Sequence, residues 1–428
     1  MSINQTSNLR NLGYSNAENT VDLPRHRWYY YKEGFSPFLV EKAIESGDIK
    51  KDDLIIDPFN GSGTTSLTAS INGYNSLGIE VNPFTAFLSQ VKNENTTVSN
   101  LERHKEDVVG GIKTGFKSNL VGFSTFSQTL TNKKWLFNNN VLSAFEGGWQ
   151  VAVNQISNPG LKSLYKLSLL SSAMTNCNAR KDGKCLRYRP NWEQKNFDEN
   201  SFLKSFEENL DRLSNDIETT VIDKKPKILN GDCRTILEKS HDFKKFKLCI
   251  TSPPYLNTFD YTDIYRPELF LGKFVNSPKE LYDLRLQTVR SHIQAKWALP
   301  QVTDFGLLYT ETINHIIKNQ DSLMHKSIPI MVQAYFEDMF NILCLLKKRA
   351  DTDAQIWLVV SNSAYANKEI PVDLIIGDIG TKAGWFLREI SVLREIKRRK
   401  TKHSPDITHL RESVIIFSSN RAKNSLKS

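Results

Sequence analysis

The chain has 428 residues, with 56 Lys and Arg against 47 Asp and Glu, a net charge of +9 and a pI near 9.1. At 39% hydrophobic and 24% charged residues, its composition is that of a folded globular protein and excludes wholesale disorder. The absence of a window of about 18 consecutive apolar residues predicts no membrane-spanning helix, and the polar start MSINQTSNLRNLGYSN predicts no secretory signal. Five cysteines (Cys177, Cys185, Cys233, Cys249, Cys344) are spread without a CxxC pair. That spacing predicts neither a disulfide framework nor a metal site, and fits a reducing cytoplasm.

Residues 1–22 read as a polar arm, and residues 37–46 as a helix. The run DLIID over 53–57 reads as a short buried strand that stops at Pro58 and the turn FNGSGTT. A helix to about Asn72 and a second strand, SLGIEV, complete a βαβ unit, whose natural product is a parallel sheet. From about 96 to 225 the alternation stops. Phe202, Leu203, Phe206, Leu210, Leu213 and Ile217 carry helical spacing inside this stretch. The α/β pattern returns at KILNGD (227–232) and KLCIT (247–251), is interrupted over about 256–328, and ends with helix, strand, helix and two strands. The prediction is a doubly wound, mostly parallel α/β sheet domain built from 23–95, 226–255 and 329–420. It carries inserted regions at 96–225 (largely helical) and 256–328, and a tail at 421–428.

Two segments concentrate positive charge. Lys382 to Lys402 holds eight basic residues against two acidic ones, and Arg180 to Lys195 holds six against two. Such runs are either solvated faces or footprints for a polyanion.

The turn Asp57-Pro58-Phe59-Asn60-Gly61-Ser62-Gly63-Thr64 lies between a strand and a helix. Gly61 and Gly63 let the backbone approach a ligand, and the helix start offers free N–H groups. No Gly-Lys-Ser/Thr follows, so it is not a P-loop; the third glycine of a dinucleotide fingerprint is also absent. A nucleoside-type ligand over the strand ends remains, with Glu80 placed to accept from both ribose hydroxyls. Ser252-Pro253-Pro254-Tyr255 follows a hydrophobic strand and so lies at the same edge of the sheet. Its two prolines fix φ and remove two donors while keeping their carbonyl acceptors.

The pair of motifs, DPFNGSGTT with a strand ending GIEVNP and then TSPPY, resembles the amino-methylating DNA methyltransferases that use S-adenosylmethionine. The resemblance spans about 26–95, 227–260 and 330–418. It implies a seven-stranded Rossmann-like methyltransferase sheet. It implies cofactor contacts from Phe59, Gly61 and Gly63 around the methionine part, Glu80 on the ribose and Asp232 at the adenine amine, with Asp57, Thr64 and Asn82 beside them. The segment His26–Phe38 resembles the motif that completes that pocket. Ser252, Pro253, Pro254 and Tyr255 take the catalytic place. There the Ser252 hydroxyl and the Pro253 carbonyl would accept from an exocyclic amine, and Tyr255 would stack on a flipped base. Ser in the first position is typical of cytosine N4 enzymes, and Asp or Asn of adenine N6 enzymes. The implied partner is double-stranded DNA, and the implied role is the modification half of a restriction–modification system whose endonuclease acts independently. Adenine N6 methylation, methylation of an RNA or protein amine, and a silent DNA-binding subunit are the alternatives.

About 190 residues separate Thr64 from Ser252, more than in many relatives of this type. The material between Glu80 and Asp232 is about the size of a domain, and it is the candidate target-recognition region. Arg285 and Arg290 of the second insertion are candidates to extend it. Phe259, Asp260, Tyr261 and Tyr265 either line a base pocket or pack their loop. His292 and Trp297 read as structural.

Overall fold

The structure is a computed structural model that describes residues 14, 16–183, 185–239, 243–302, 304–398 and 400–421. In chain order the strands are β1 (Leu54–Asp57), β2 (Asn75–Glu80), β3 (Ala179–Asp182), β4 (Cys185–Tyr188), β5 (Lys227–Asn230), β6 (Phe246–Thr251), β7 (Ala350–Ser361), β8 (Ser363–Tyr365), β9 (Lys368–Ile370), β10 (Phe386–Lys397) and β11 (His409–Ser418). The helices are α1 (Pro37–Ser46), α2 (Thr64–Ile71), α3 (Pro83–Lys92), α4 (Val98–Glu102), α5 (Lys105–Thr114), α6 (Asn139–Gln155), α7 (Pro159–Thr175), α8 (Glu199–Thr219), α9 (Cys233–Lys239), α10 (Tyr261–Ile264), α11 (Arg266–Leu271), α12 (Pro278–Arg285), α13 (Leu307–Lys318), α14 (Ile328–Arg349) and α15 (Val372–Lys382).

Ile55 and Ile56 on β1 face opposite sides of the sheet, and both are fully buried. A strand buried on both faces needs helices on both. Ile55 packs with Leu39, Val40 and Ala43 of α1. Ile56 lies in the layer that contains Met331 and Met339 of α14 and Ile375 and Ile379 of α15. The seven strands run in the order β10-β11-β7-β6-β1-β2-β5. β5, β2, β1, β6 and β7 are mutually parallel, and β11 pairs antiparallel with both β7 and β10. This is a doubly wound, mostly parallel seven-stranded α/β sheet, the architecture the sequence predicts. The strand order reverses between β1 and β6, so the crevice at their carboxyl ends is the place where such sheets bind ligands.

The stretch 96–225 is built of α4–α8 and the β3–β4 hairpin. Helix α8 starts at Asp198, whose carboxylate accepts from the Ser201 N–H in a capping box. Its buried stripe is Phe202, Phe206, Leu210, Leu213 and Ile217. That stripe shares one core with Phe84 of α3, Leu164 of α7, Leu269 of α11 and Leu281 of α12. The two inserted regions therefore meet over α3. The hairpin has no alternating apolar pattern, so sequence reading found only its charges.

Of the polar arm, residues 1–13 and 15 lie outside the described residues; Ala17 and Thr20, by contrast, are buried. Of the tail, only Arg421 is described. Helix α14 is the one helix among the described residues whose length and composition resemble a membrane span. Its 22 residues are long and apolar enough to cross a membrane, but 67% of its apolar window is buried in this protein. It also carries Glu337 and Asp338 in its middle, and it is the core helix under the sheet.

Candidate active site

At the point where the strand order reverses, the ends of β1 and β6 are tied together. Thr251 Oγ1 donates to Asp57 Oδ1 at 2.5 Å, and the Phe59 N–H donates to the same oxygen at 3.0 Å. Burial pushes the Asp57 carboxyl up to about 6, against the pull of those donors. Asp57 thus joins the glycine turn to the strand that leads into Ser252.

The turn is held by Asn60. Its side chain donates to Ser89 Oγ at 2.7 Å and accepts from Ser66 Oγ at 2.9 Å, and its own N–H donates to the Ile79 carbonyl at 3.0 Å. The two glycines then separate in role. Gly61 has φ of +48°, and a Cβ there would stand 3.2 Å from the Tyr31 ring, inside the cavity. Gly63 has φ of +87°, and a Cβ there would stand 2.4 Å from Ser89 Oγ, against α3. Gly63 starts α2 and packs inward; Gly61 faces the ligand space. Glu80 ends β2, accepting from the Gly61 N–H at 2.7 Å and the Asn82 N–H at 2.8 Å. Asn82 in turn caps α3 by accepting from the Phe84 N–H.

These residues line a cavity of about 300 Å³. Asp57, Phe59, Gly61, Thr64, Glu80, Asn82 and Asp232 contribute to its wall, and so do Ser252, Pro253, Pro254 and Tyr255. The structure therefore brings both motifs to one cavity, with Gly63 set behind the wall. Asp232 is held by Arg234, whose guanidinium donates to Asp232 Oδ1 at 3.0 Å and Oδ2 at 2.9 Å. Arg234 also pairs with Asp338 of α14 at 2.9 Å. Tyr255 donates from its hydroxyl to Glu412 Oε1 at 2.6 Å.

A further part of the wall comes from the segment before α1, through Tyr31, Glu33 and Phe35. That segment is strapped to α8. The fully buried Asp216 accepts from the Arg25 N–H at 2.8 Å, the Trp28 indole N–H at 2.9 Å and the Arg27 guanidinium at 2.5 Å. Tyr31 stacks on Tyr265 at 5.3 Å, and the Tyr265 hydroxyl donates to Glu33 at 2.5 Å. Phe259 and Tyr261 line the cavity, whereas Asp260 caps α10 and pairs with Arg285 at 2.6 Å. His292 lines the cavity with its ring 5.0 Å from Trp297, and burial lowers its pKa.

Several cations of the basic segments have partners within the protein, although Arg187 itself stays exposed. Lys181 pairs with the buried Glu268, and Arg187 with Asp182 at 2.5 Å. Arg189 donates to the Cys177 carbonyl at 2.8 Å. Arg290 pairs with Glu337 and Asp338 at 2.6 and 2.8 Å, so it is committed to α14. Arg180, Lys195, Lys397, Lys400 and Lys402 are exposed; Lys184 and Arg399 lie outside the described residues.

Burial raises the Glu80 carboxyl to about 7. Its folded value lies above the ordinary 4.5, so this group subtracts stability above pH 7, and the loss fades as pH falls from 7 to 4.5. Ligand hydroxyls donate best to the ionised form. Affinity for a ribose-bearing ligand is therefore expected to fall about tenfold from pH 8 to pH 6, with proton release on binding. Calorimetry in buffers of different ionisation enthalpy measures this, and Glu80→Gln should flatten the dependence.

The N6_N4_Mtase profile, described as DNA methylase, matches residues 5–90. Type II methyltransferase M.BsoBI of Geobacillus stearothermophilus is 27% identical over 92% of this chain and 85% of its own length. Type II methyltransferase M.AvaI of Nostoc sp. is 26% identical over 86% and 81%. Among solved structures, TrmN from Thermus thermophilus aligns with 89% of this chain and 48% of its own at 8% identity and a TM-score of 0.30, too distant to bear on fold or function. The methyl donor of the matched family is S-adenosylmethionine. The cavity suits it: a Cβ at Gly61 would intrude, and a carboxylate borders the space at Glu80. The chain is thus similar to the N6/N4 DNA methylases over residues 5–90 and to Type II methyltransferases along most of its length.

Proposed function

We propose that this methyltransferase modifies the exocyclic N4 amine of cytosine in duplex DNA, after flipping the base, as the cytoplasmic modification enzyme of a restriction–modification pair. The observation that carries the choice of cytosine is Ser252, a neutral hydroxyl where the adenine enzymes of this family carry Asp or Asn. S-adenosylmethionine supplies an electrophilic methyl group on a sulfonium. The chain's own residues do the rest. Gly61 leaves room for the methionine end, Glu80 takes the ribose hydroxyls, and Asp232 takes the adenine amine. Phe59 lies against the methionine part, while Asp57, Thr64 and Asn82 fix the turn and the start of α3. Gly63 serves by letting α2 begin so close to α3.

The proline pair presents acceptors in a rigid loop, so the amine is oriented by hydrogen bonds from its N–H groups to Ser252 and the Pro253 carbonyl. The amine lone pair is then free to point at the methyl group. Tyr255, Phe259 and Tyr261 offer ring surface for an extruded base. The region 96–225 serves as the target-recognition region, closing over the cavity with the hairpin tip at Gly183. Equal concentrations of duplex DNA, RNA and mixed protein as acceptors of labelled methyl test the substrate class. Label in DNA alone is expected; label in RNA or protein alone overturns the reading.

The exposed Lys397, Lys400 and Lys402 sit at the turn joining β10 to β11 and are assigned to DNA phosphates. Arg398 is excluded because its guanidinium reaches the Ser404 and Ile407 carbonyls at 3.5 Å and holds that turn. Replacing the three lysines with Gln should weaken binding to all DNA sequences alike. It should also flatten the log–log salt dependence by about 0.9 for each phosphate that is no longer neutralised. An unchanged slope means that the turn faces solvent.

A further inference from the structure

Glu412 on β11 sits opposite Arg394 on β10, and its side chain is nearly fully buried. Both carboxylate oxygens are engaged. Arg394 Nε donates to Oε2 at 2.7 Å, and the Tyr255 hydroxyl donates to Oε1 at 2.6 Å. Ser252 Oγ lies 3.4 Å from the Tyr255 oxygen and donates to it. A continuous chain therefore runs from Ser252 through Tyr255 to Glu412.

The direction of that chain is dictated by its far end. A carboxylate paired with a guanidinium can only accept, so Tyr255 must spend its one proton on Glu412. The Tyr255 oxygen then keeps only lone pairs toward Ser252, and Ser252 must spend its proton on Tyr255. What Ser252 has left to present to the cavity is acceptor capacity. That is the polarity an amine donor requires. A Ser hydroxyl without this chain can rotate and offer its proton instead.

We propose that Glu412 is a positioning residue that sets this polarity and receives the proton lost by the target amine. The inference rests on the amine-methylating reading of the cavity. As the amine lone pair forms the new N–C bond, the nitrogen carries one proton too many. That N–H bond breaks and its electron pair stays on nitrogen. The proton passes to Ser252 Oγ, the Ser252 proton passes to Tyr255, and the Tyr255 proton passes to Glu412, which ends neutral. Ser252 and Tyr255 end as they began, and Glu412 returns its proton to solvent after product leaves. The chain serves a neutral Ser, which is too weak a base to hold the proton itself.

Glu412→Gln removes the charge at constant shape, and its amide can donate as well as accept. Tyr255→Phe cuts the chain at a different link, keeps the ring face and leaves the Arg394–Glu412 pair intact. Each variant is expected to slow single-turnover methyl transfer by about 100-fold, the scale of a lost acid–base function. S-adenosylmethionine affinity should stay within about twofold and the melting temperature should be retained in Tyr255→Phe. The double variant should be no slower than the slower single variant, because one chain is cut only once. Wild-type rates in either single variant, or multiplied losses in the double variant, overturn the proposal. If Ser252→Ala is inactive while Glu412→Gln and Tyr255→Phe are not, the chain is refuted and the amine site stands. If the wild-type protein labels no amine in DNA, the underlying reading has failed, and this inference with it.

Discussion

Ser252→Ala and Tyr255→Ala are each expected to cut the single-turnover rate of methyl transfer by about 10²-fold or more while leaving cofactor affinity close to wild type. Ser252 follows a fully buried strand end, where Thr251 is locked to Asp57, so the loop is carried by an unchanged scaffold in both variants. Neither residue borders Glu80 or Asp232 through any hydrogen bond of theirs; the Tyr255 hydroxyl is spent on Glu412. Loss of the Ser252 acceptor falls on the step in which the amine is oriented. Loss of the Tyr255 ring adds about 1–3 kcal/mol of lost base stacking, so binding of duplexes with an already extruded base should weaken too. Melting temperature, cofactor calorimetry and quenched-flow rates on the same preparations separate this from a merely folded turn. If activity tracks only the folded fraction, SPPY is a turn and not a site.

The second large effect lies in the cofactor half, where two glycines of one turn should fail in different ways. Gly61→Val is expected to weaken S-adenosylmethionine at least tenfold. Its left-handed φ disfavours a branched residue, and the new side chain meets Tyr31 in the cavity. Gly63→Ala is expected to lose stability, by about 1–3 kcal/mol, because its Cβ would collide with Ser89 on α3. Glu80→Ala should weaken the cofactor by about 1.5–3 kcal/mol, the scale of hydrogen bonds to a charged group. It also frees the Gly61 and Asn82 N–H groups that Glu80 now satisfies. Calorimetry and thermal melts on the three variants distinguish these outcomes. Full affinity in both Gly61→Val and Glu80→Ala removes the cofactor assignment from this cavity.

Local chemistry made part of this legible in the chain. A buried four-residue strand, a glycine turn and an apolar run ending in Pro-Pro are each written in adjacent residues, and they mark β1, α2 and β6. The partners that complete the cavity are not adjacent. Glu412 meets Tyr255 157 residues away, and Asp216 meets Arg27 189 residues away. Both pairings depend on how strands and helices are ordered in space, which no local period encodes. Charge was the least legible feature. The cluster Arg180–Lys195 reads as one basic surface, yet Lys181, Arg187 and Arg189 are turned to partners in the protein, and Arg285 and Arg290 likewise. A sequence shows a cation but not the carboxylate facing it.

The most direct measurement is the identity of the modified nucleoside. Duplex DNA free of methylation is incubated with the purified protein and isotopically labelled S-adenosylmethionine, digested to nucleosides and resolved by mass spectrometry. The account predicts labelled N4-methyldeoxycytidine, absent with Ser252→Ala. Labelled N6-methyldeoxyadenosine in its place would contradict the assignment built on Ser252.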